Sequence, residues 1–321
     1  MRLCRISLDG LVLLAFYGDD HVIPLDQAAE AYADETGVDL ALCASESLLD
    51  FLPPTGAYHQ QLVDLSNWVE ELDVVTRETL ATPVDEVELL TPIARPNKLV
   101  LLAGNYSAHV VERGGTTAER SETFPYLFLK PVSTCLAGPN APIILPKVSP
   151  HHIDWECELG VVIGRACRHV DEADALEHVA GYTVVNDISD RKFKPNPTRK
   201  PRERDVFFDW QHGKWHDGFC PVGPCVASAS AVPDPQTLGI KLSVNGEVKQ
   251  DGSTAQMVFP VAAVVSFVSR IMTLEPGDII STGTPSGVGS ASGTYLRPGD
   301  VVRATIERIG TLENRVVADE T

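Results

Sequence analysis

The chain has 321 residues, a formal net charge of −18 at pH 7 and a hydrophobic content of 44%. A chain of this length can bury a large core, either as one large domain with an appendage or as two domains. The acidic charge is spread along the sequence and argues against nucleic acid and anionic membrane surfaces as partners, because both require basic patches. Small anionic substrates are not excluded, since a few local cations or a metal can reverse the field inside a pocket.

The cysteine content and the apolar runs indicate the cellular compartment. There are seven cysteines, an odd number, and none stands in a Cys-x-x-Cys pair. This favours a reduced intracellular protein over a disulfide framework or a zinc site. The N-terminus lacks the layout of a signal peptide, and no apolar run approaches the roughly 20 residues of a membrane helix. We therefore expect a cytoplasmic protein.

Residues 1–91 are predicted to form a small N-terminal α/β region. Because Pro92 and Pro96 bracket a connector, a domain boundary is placed there, and the main domain is expected to span 92–321. In chain order, the elements expected in the first region are two strands within 1–24 that turn at Asp9-Gly10, helices near 25–36 and 57–73, and a strand at 84–90.

The main domain is expected to be rich in short strands and turns. Asn245-Gly246 is the strongest hairpin signal in the chain and divides an alternating segment at 240–250. Residues 191–213 are polar and rich in Pro, Lys and Arg, which is typical of a long surface loop, and such loops often act as lids. The other elements expected are strands at 98–103, 143–145, 159–163, 181–187 and 278–282, and a helix at about 260–271.

Residues 153–159, Ile-Asp-Trp-Glu-Cys-Glu-Leu, alternate apolar and acidic side chains. Period two is typical of a β-strand, so Asp154, Glu156 and Glu158 are predicted to share one face. Packing acids two residues apart costs free energy unless solvent or a cation relieves their repulsion. This strand therefore carries either a solvated acidic face or a metal.

A further carboxylate, Asp187, ends the apolar strand that begins near Gly181. With Glu156 and Glu158 it would supply three carboxylates and neither sulfur nor imidazole. Such all-oxygen sites suit Mg²⁺, Mn²⁺ or Ca²⁺ and leave positions open for water and substrate. From spacing alone, the commoner alternative is a solvated acidic strand together with a capping or turn aspartate.

A second pair of candidate residues follows the strand that ends at Ala103. A short helix capped by Asn105 or Ser107 would place His109 and Glu112, three residues apart, on one face. A carboxylate beside an imidazole fixes its tautomer and raises its basicity, which makes a general base able to activate water. The simpler alternative is an ordinary surface ion pair.

Two other segments contain candidate residues. Lys214 lies in a Gly-Lys-Trp-His-Asp-Gly-Phe run, where a solvated lysine is the ordinary interpretation. Residues 283–289, Gly-Thr-Pro-Ser-Gly-Val-Gly, lack the lysine of a Walker motif. Their backbone N–H groups and the Thr284 hydroxyl can still meet a carboxylate, although a tight turn is the simpler interpretation.

Together these segments resemble the fumarylacetoacetate hydrolase superfamily, in the branch of acylpyruvate hydrolases and hydroxymuconate isomerases. The resemblance covers about residues 92–310 and depends on the order and spacing of the segments. They are Asn-Tyr-x-x-His-x-x-Glu (105–112), Glu-x-Glu-Leu (156–159), Gly-Tyr-Thr (181–183), Asn-Asp (186–187), Gly-Lys before Asp-Gly-Phe (213–219), Val-Asn-Gly-Glu (244–247), Pro-Gly-Asp (276–278) and Gly-Thr-Pro-Ser-Gly-Val-Gly (283–289).

The resemblance implies a β-rich α+β fold, a mixed β-roll of several short sheets with peripheral helices, usually in a homodimer. It also implies one bound Mg²⁺ or Mn²⁺, with Ca²⁺ as a third option, and a dyad that activates water. The residues implied are Glu156, Glu158 and Asp187 for the metal, His109 and Glu112 for the dyad, Lys214 and Thr284 for the substrate's oxygens, and Tyr106 for the pocket wall.

The chain departs from the family pattern after Asp187. Many relatives carry Ser-Ala-Arg-Asp and a nearby Gln, whereas this chain reads Ser-Asp-Arg-Lys-Phe-Lys at 189–194. Arg191 in this run is expected to contact the substrate. The long basic loop that follows is expected to help set substrate choice.

The expected reaction is metal-dependent hydrolysis of a C–C bond in a β-diketo acid of the acylpyruvate or fumarylacetoacetate type. A His-Glu activated water would attack, and a 2-oxo acid would leave as a metal-stabilised enolate. The alternatives are oxaloacetate-type decarboxylation and isomerisation of 5-carboxymethyl-2-hydroxymuconate or 2-hydroxyhepta-2,4-diene-1,7-dioate. A protein of another class, a non-catalytic keto-acid-binding protein, would keep the three carboxylates and would not need His109.

Overall fold

The computed structural model of the protein describes residues 1–40, 42, 45–117 and 120–320. Its strands are β1 (Arg2–Leu8), β2 (Leu11–Tyr17), β3 (His21–Pro24), β4 (Thr82–Pro83), β5 (Glu88–Leu90), β6 (Leu99–Ala103), β7 (Tyr126–Leu129), β8 (Leu136–Ala137), β9 (Ile143–Leu145), β10 (Ile153–Asp154), β11 (Cys157–Ile163), β12 (Val179–Asn186), β13 (Ser189–Asp190), β14 (Cys220–Ser228), β15 (Gly239–Val244), β16 (Glu247–Ser253), β17 (Ile279–Ser281), β18 (Val301–Ile306) and β19 (Gly310–Ala318). Its helices are α1 (Leu25–Thr36), α2 (His59–Glu71), α3 (Val74–Leu80), α4 (Ser107–Glu112), α5 (Val132–Cys135), α6 (Asp205–His212), α7 (Val261–Ile271) and α8 (Gly289–Ser292).

Most strands belong to one large mixed sheet. Its main path runs β4-β3-β2-β1-β14-β12-β11-β17-β6-β7, with β5 beside β1 and β8 beside β14. A second sheet has the order β16-β15-β18-β19-β9, and β10 pairs with β13 alone. This architecture confirms the predicted fold class, a strand-rich α+β fold with several sheets and peripheral helices.

The central strands β11, β12 and β14 are buried along their whole length. Successive side chains of β11 enter opposite hydrophobic clusters, because Leu159 and Val161 join one cluster and Val162 joins the other. Burying each such aliphatic side chain stabilises the fold by roughly 1.5–3 kcal/mol. The middle of the large sheet therefore forms a rigid base between two layers of packing.

The register of these strands decides where the acidic residues meet. The antiparallel pairing of β11 with β12 places Cys157 opposite Asn186. The residue before β11, Glu156, therefore lies beside the residue after β12, Asp187. Carboxylates that are about 30 positions apart in the sequence are brought together at one edge of the buried base.

Several predicted elements are confirmed. The hairpin of β1 and β2 turns at Asp9-Gly10, and β15 and β16 turn at Asn245-Gly246. Helix α1 has the predicted bounds, and α2 and α7 each differ by a few residues at most. These elements could be predicted because their turn residues and apolar periodicity are local signals.

In the N-terminal region one prediction was wrong and one helix was missed. The segment 84–90 was expected to be a strand, but its first part is a 3-10 turn and only Glu88–Leu90 is a strand. Helix α3 was not predicted at all. Its N-cap is Asp73, whose Oδ1 accepts hydrogen bonds from Val75 N and Thr76 N at 2.9 and 3.1 Å. This N-cap starts a short helix that contains no buried residue and therefore gives no periodic signal.

Residues 191–213 were predicted to be a loop throughout, and this was wrong for Asp205–His212, which form α6. Arg199 donates to Asp205 at 2.8 Å and also pairs with Asp209, one helical turn further on. These contacts join the basic loop to the acidic side of the helix. The Pro- and Lys-rich composition of 191–204 concealed the aromatic helix that follows it.

The predicted boundary near residue 91 stays a prediction, as does the cytoplasmic location. Strand β1 from the first region pairs with β14 from the second within the large sheet. The described cysteines are all free and buried, and Cys43 lies outside the described residues. Within the described chain, no helix has both the length and the apolar composition needed to cross a bilayer.

Candidate active site

Glu156, Glu158 and Asp187 form a group that we call the carboxylate cluster. One oxygen from each lies within 4.8 Å of the other two. Their exposed fractions are 4%, 1% and 1%. The alternative of a solvated acidic strand face is therefore wrong. The strand register, and not only the period-two spacing, brings these groups together.

The acidic strand itself differs from the prediction. Strand β10 ends at Asp154 and β11 begins at Cys157, so 153–159 is not one continuous strand. At the break, Asp187 N donates to Glu156 O at 2.9 Å, and Glu156 N donates to Asn186 Oδ1 at 3.1 Å. The end of β12 thus satisfies the backbone of Glu156. Asp154 is not among the three carboxylates of the cluster.

Asp154 instead holds the segment that begins α8. Its oxygens accept hydrogen bonds from Gly289 N at 2.6 Å and Ser290 N at 3.0 Å. Arg191 donates from Nε to Asp154 at 2.7 Å and from Nη2 to Glu156 at 2.5 Å. Arg191 therefore links the cluster to the glycine-rich segment 283–289. Its predicted contact with substrate stays a prediction.

Two lysines compensate the charge of the cluster. Lys214 Nζ lies 2.7 Å from Glu156 Oε2 and 2.5 Å from Asp187 Oδ2. Lys130 Nζ lies 2.6 Å from Asp187 Oδ1 and donates to the backbone oxygens of Ile188 and Phe219. Asp187 thus sits between two buried ammonium groups. Lys214 is therefore not a solvated lysine, and the contact with the substrate's oxygens that the family resemblance implies stays a prediction.

Sequence reasoning missed Lys130. It stands in Leu-Phe-Leu-Lys-Pro at 127–131, directly after the apolar strand β7. A lysine at the end of an apolar strand was the available signal, because buried lysines are rare unless they are paired. Trp210, which lines the cavity described below, was missed because α6 was not predicted.

Glu158 differs from its two neighbours because, in the described chain, it accepts hydrogen bonds only from neutral donors. Ser281 Oγ and Gly283 N donate to its Oε2 at 2.6 and 2.9 Å. Burial, together with the nearby Asp187 and Glu156 charges, raises the pKa of Glu158 well above its ordinary value. One member of the cluster therefore lacks a compensating cation.

Glu156 shows the opposite behaviour. Burial alone would raise its pKa, but Arg191, Lys214 and His109 outweigh that effect and hold the pKa well below its ordinary value. The cluster therefore has a compensated side at Glu156 and an uncompensated side at Glu158. A divalent cation among the three oxygens would supply the missing charge, and an all-carboxylate donor set suits Mg²⁺ or Mn²⁺.

His109 and Glu112 form a dyad on α4. His109 Nδ1 lies 2.7 Å from Glu112 Oε1, and the imidazole is only 4% exposed. The alternative of an ordinary surface ion pair is therefore wrong. A carboxylate that accepts from Nδ1–H leaves Nε2 as the basic nitrogen of the ring.

The helix that carries the dyad is held in an unexpected way. No side chain caps α4, so the predicted capping by Asn105 or Ser107 was wrong. Asn105 instead donates to Phe259 O and Thr282 O at 3.1 and 2.8 Å, and accepts from Phe259 N at 2.8 Å. The buried amide of Asn105 thus joins the start of α4 to the segments that contain Phe259 and Thr282. Because these contacts are distant in sequence, residue spacing could not predict them.

The glycine-rich segment 283–289 connects the dyad to the cluster. Gly287 N donates to Glu112 Oε2 at 2.9 Å, and Gly283 N donates to Glu158. Gly287 has φ +101°, and an added Cβ would lie 2.0 Å from Lys249 O, so no other residue fits without a backbone shift. The backbone N–H groups of this segment do bind carboxylates, as predicted. These carboxylates are Glu112 and Glu158 of the protein itself.

The other groups assigned from the sequence lie close by. Thr284 Oγ1 donates to Cys157 O at 2.9 Å and accepts from Gln250 Nε2 at 2.8 Å. Tyr106 is buried, and its hydroxyl has no hydrogen-bond partner within the described residues. Tyr106 is not among the residues found to line the cavity, so its predicted role as a wall residue stays a prediction.

A cavity of about 370 Å³ joins the dyad to the cluster. Its lining includes five buried polar residues, His109, Glu156, Glu158, Lys214 and Thr284. Its aromatic walls include Phe128 and Trp210, whose ring centroids lie 5.2 and 5.9 Å from Lys214 Nζ. A larger cavity of about 980 Å³ contains neither the dyad nor a carboxylate among its described lining residues. The chemistry is therefore concentrated in the smaller cavity.

Comparison with known proteins identifies the family. Residues 98–317 match the family described as fumarylacetoacetate (FAA) hydrolase, C-terminal. This match covers well over half of the chain, which therefore belongs to the fumarylacetoacetate hydrolase family. The resemblance inferred from the sequence segments is confirmed.

The similar proteins include both hydrolases and an isomerase. The 2,4-didehydro-3-deoxy-L-rhamnonate hydrolase of Sphingomonas sp. (strain SKA58) is 44% identical over 228 residues, 70% of this chain and 75% of that protein. The structure of maleylpyruvate hydrolase from Sphingobium sp. SYK-6, in complex with manganese(II) ion and pyruvate, has a TM-score of 0.70 and 30% identity, with 100% of both chains covered. The 2-hydroxyhepta-2,4-diene-1,7-dioate isomerase from Mycobacterium marinum has a TM-score of 0.67 and 31% identity, with 100% of both chains covered. The chain is therefore an enzyme of a superfamily that carries out more than one reaction.

Proposed function

We propose that this protein hydrolyses a C–C bond in a β-diketo acid of the acylpyruvate type. The observation that supports this most is the dyad of His109 and Glu112, because the buried His109 lines the same cavity as Glu156, Glu158 and Lys214. A protein that only binds keto acids needs the cluster, but it gains nothing from an oriented, buried general base.

The metal is part of this proposal. A Mg²⁺ or Mn²⁺ ion held by Glu156, Glu158 and Asp187 would supply Lewis-acid stabilisation for the enolate charge that develops when the C–C bond breaks. The similar maleylpyruvate hydrolase contains manganese(II) and pyruvate, which supports this choice of ion and of product. Ca²⁺ remains compatible with the same oxygen donors.

The dyad performs the proton transfer. Nε2 of His109 removes a proton from a water molecule, whose oxygen attacks the carbonyl carbon that is farther from the carboxylate end of the substrate. Glu112 accepts the Nδ1–H hydrogen bond, so it holds the reactive tautomer and stabilises the imidazolium. The bond between that carbonyl carbon and the neighbouring methylene then breaks. The products are a carboxylic acid and the enolate of pyruvate, which takes a proton.

Lys214 and the aromatic walls complete the site. The ammonium group of Lys214 contacts both Glu156 and Asp187 and is placed to offset negative charge that develops on the enolate oxygen. Phe128 and Trp210 flank it and exclude water, which strengthens these electrostatic interactions.

The second candidate reaction is isomerisation of an unsaturated 2-oxo or 2-hydroxy acid. The similarity to a 2-hydroxyhepta-2,4-diene-1,7-dioate isomerase favours it. His109 would then move a proton between carbons of the substrate instead of activating water. Oxaloacetate decarboxylation also stays a prediction, although it requires no activated water and would leave the dyad without a role.

The test is the loss of the enol absorbance of acetylpyruvate, measured with Mn²⁺, with Mg²⁺ and with EDTA. We expect loss with either metal, with release of pyruvate, and no loss with EDTA. His109→Ala is expected to lower kcat by roughly 10²–10⁴-fold with unchanged metal affinity. Ser107→Ala, an exposed position on the same helix, serves as the control. A change in absorbance without pyruvate release would favour the isomerase.

The predicted homodimer also stays a proposal. Phe124, Tyr126 and Phe207 have exposed fractions of 57%, 61% and 54%, and Tyr126 belongs to β7 at the end of the large sheet. Exposed aromatic surface of this kind is typical of association sites. Sedimentation velocity is expected to give a dimer, and Phe207→Lys is expected to shift it towards monomer.

A further inference from the structure

A further cavity, of about 320 Å³, is lined by residues from both halves of the predicted domain division. Its walls come from β1, β2, β3, α2 and α3 on one side, and from Ala231 and Arg308 on the other. We call it the arginine pocket, because Arg2, Arg77 and Arg308 line it. It shares no described lining residue with the cavity that contains His109 and is therefore a separate feature.

The lining of the arginine pocket is basic, whereas the chain as a whole has a net charge of −18. Besides the three arginines, its described lining includes His21 and a single acid, Glu70. Arg2 is compensated, because its Nη1 lies 2.6 Å from Asp19. The other two arginines take part in none of the ion pairs of the described chain. The pocket thus concentrates positive charge, which attracts anions.

Arg77 is held in place at the end of α2. Its Nη2 donates to the backbone oxygens of Glu70 and Leu72 at 2.7 and 3.0 Å. Its Nε is buried and has no hydrogen-bond partner within the described residues. A buried donor without a partner costs free energy, and an acceptor bound beside it would relieve that cost. The guanidinium group is therefore preorganised and has a donor left unused.

Arg308 lies in the turn between β18 and β19, where Ile306 pairs with Gly310. Its backbone has φ +65°, a conformation that residues with a side chain adopt only at a cost. The side chain is exposed and makes no ion pair or hydrogen bond in the described chain. The fold thus keeps a second cation at the pocket without giving it a partner of its own.

The remaining walls are largely apolar. Phe16, Tyr17, Ile23 and Val69 line the pocket, and the Arg2 guanidinium carbon lies 5.1 Å from the centroid of the Tyr17 ring. A wall of this kind favours a ligand with a flat apolar part over a bare inorganic ion, because the apolar part is removed from water on binding. The pocket therefore combines cationic contacts with an apolar surface.

We propose that the arginine pocket binds a small organic oxyanion, a phosphate ester or a carboxylate carried on a flat apolar group, with Arg77 and Arg308 as its cationic contacts. A guanidinium group offers a planar set of donors that matches either oxyanion. Because one arginine belongs to α3 and the other to the β18–β19 turn, the ligand links the N-terminal region to the second sheet. This proposal does not depend on the proposed function.

Calorimetric titration of the full-length protein at low ionic strength tests the proposal. The probes are phenyl phosphate, benzoate and inorganic phosphate, and each is titrated in Mg²⁺ and again in EDTA. We expect at least one of the two aromatic probes to bind about fivefold or more tightly than inorganic phosphate, and the tighter of the two identifies the charged group. The affinity is expected to be the same with and without metal, because no member of the carboxylate cluster lines this pocket.

Two matched variants assign the binding. Arg308→Gln is expected to weaken it about fivefold, in keeping with the loss of one partly exposed charged contact, and Arg308→Lys is expected to retain part of it. Arg315→Gln removes the same charge from an exposed position on β19 that does not line the pocket, and is expected to leave the affinity unchanged.

Each other outcome would overturn the proposal. If neither aromatic probe binds, or if Arg308→Gln binds as the wild-type protein does, the pocket is not an anion site. Equal weakening by Arg308→Gln and Arg315→Gln would mean that the probe responds only to net charge. Binding that requires Mg²⁺ would place the probe at the carboxylate cluster, and inorganic phosphate binding as tightly as phenyl phosphate would exclude an organic ligand. None of these results would affect the proposed hydrolysis.

Discussion

The carboxylate cluster and the dyad each contribute to the same cavity, through Glu156 and Glu158 and through His109, but they are built in different ways. The cluster lies where β11 begins and β12 ends, on a base whose residues are buried on both faces. The dyad lies on a six-residue helix without a side-chain cap, held by Asn105 at its base and by Gly287 N at Glu112. The position of the cluster is fixed by sheet register, whereas the position of the dyad depends on a few single hydrogen bonds. A substitution that breaks an ion pair of the cluster should therefore change stability, whereas one that loosens the dyad should change activity.

The largest effect on folding is expected from Glu156→Gln. This change removes one negative charge from a buried carboxylate that contacts Arg191 and Lys214, and leaves both cations without their full compensation. Breaking a buried ion pair in this way costs about 3–5 kcal/mol. The free energy of unfolding, measured by urea denaturation in EDTA, is expected to fall by about that amount.

Glu158→Gln is the matched control, because it makes the same change at an equally buried carboxylate. In the described chain Glu158 contacts only neutral donors, and its charge is opposed by Asp187 and Glu156. Its replacement is expected to leave the stability of the EDTA-treated protein unchanged or slightly raised, and to weaken Mn²⁺ binding. Equal destabilisation by Glu156→Gln and Glu158→Gln would contradict the conclusion that cations compensate the charge of Glu156 and not that of Glu158.

The next largest effect is expected from Gly287→Ala, which removes support from Glu112 of the dyad. Because the added Cβ would lie 2.0 Å from Lys249 O, the backbone must shift and the hydrogen bond to Glu112 is weakened. We expect kcat to fall about tenfold to a hundredfold while the dissociation constant for Mn²⁺ stays the same, since the cluster is held by other contacts.

Gly293→Ala is the control for that substitution. Gly293 also has a left-handed φ of +72°, but its added Cβ would meet open space. It is expected to cost about 1–2 kcal/mol of stability, the strain of this backbone region, with no loss of kcat. If Gly287→Ala lowered metal affinity as strongly as kcat, the dyad and the cluster would not be independent.

The two sites also differ in how far they could be predicted. The spacing of Glu156, Glu158 and Asp187 supplied the right groups, and the family resemblance assigned them to one site. The break of the strand at Trp155 could not be predicted, because it depends on hydrogen bonds from the end of β12. Asp154, which the alternation in the sequence includes, is not one of the three grouped carboxylates and instead binds Arg191 and the start of α8.

Residues that act through tertiary contacts were the ones missed. Lys130 reaches Asp187 across more than 50 positions of sequence, and nothing near it in the chain indicates that partner. The anchoring role of Asn105 depends in the same way on Phe259 and Thr282. Local patterns therefore predicted most elements and the reactive groups, while the supporting contacts required the folded chain.

The smallest expected effect is a change in the proteolysis of residues 191–204. This segment precedes α6, which carries Trp210 of the cavity wall. Hydrogen bonds from Arg199 and Arg202 lower the pKa of Asp205 to about 2, compared with an ordinary value of 3.8. A lowered pKa in the folded state means that these bonds stabilise the loop above about pH 4 and are lost as the pH falls through about 2. Arg199→Gln removes the main donor at neutral pH.

Limited proteolysis measures this effect. Arg199→Gln is expected to increase cleavage within 191–204 a few-fold at pH 7 without changing the midpoint of global unfolding, because its contacts join only this segment and α6. Lys200→Gln, at the exposed neighbouring position, is expected to leave cleavage unchanged. If the segment also closes over the cavity, as predicted for a lid, Mn²⁺ with oxalate should slow cleavage in the wild-type protein and slow it less in Arg199→Gln. If oxalate does not alter cleavage, the segment is not a lid. The contacts of Arg199 would then serve only to hold the segment against α6.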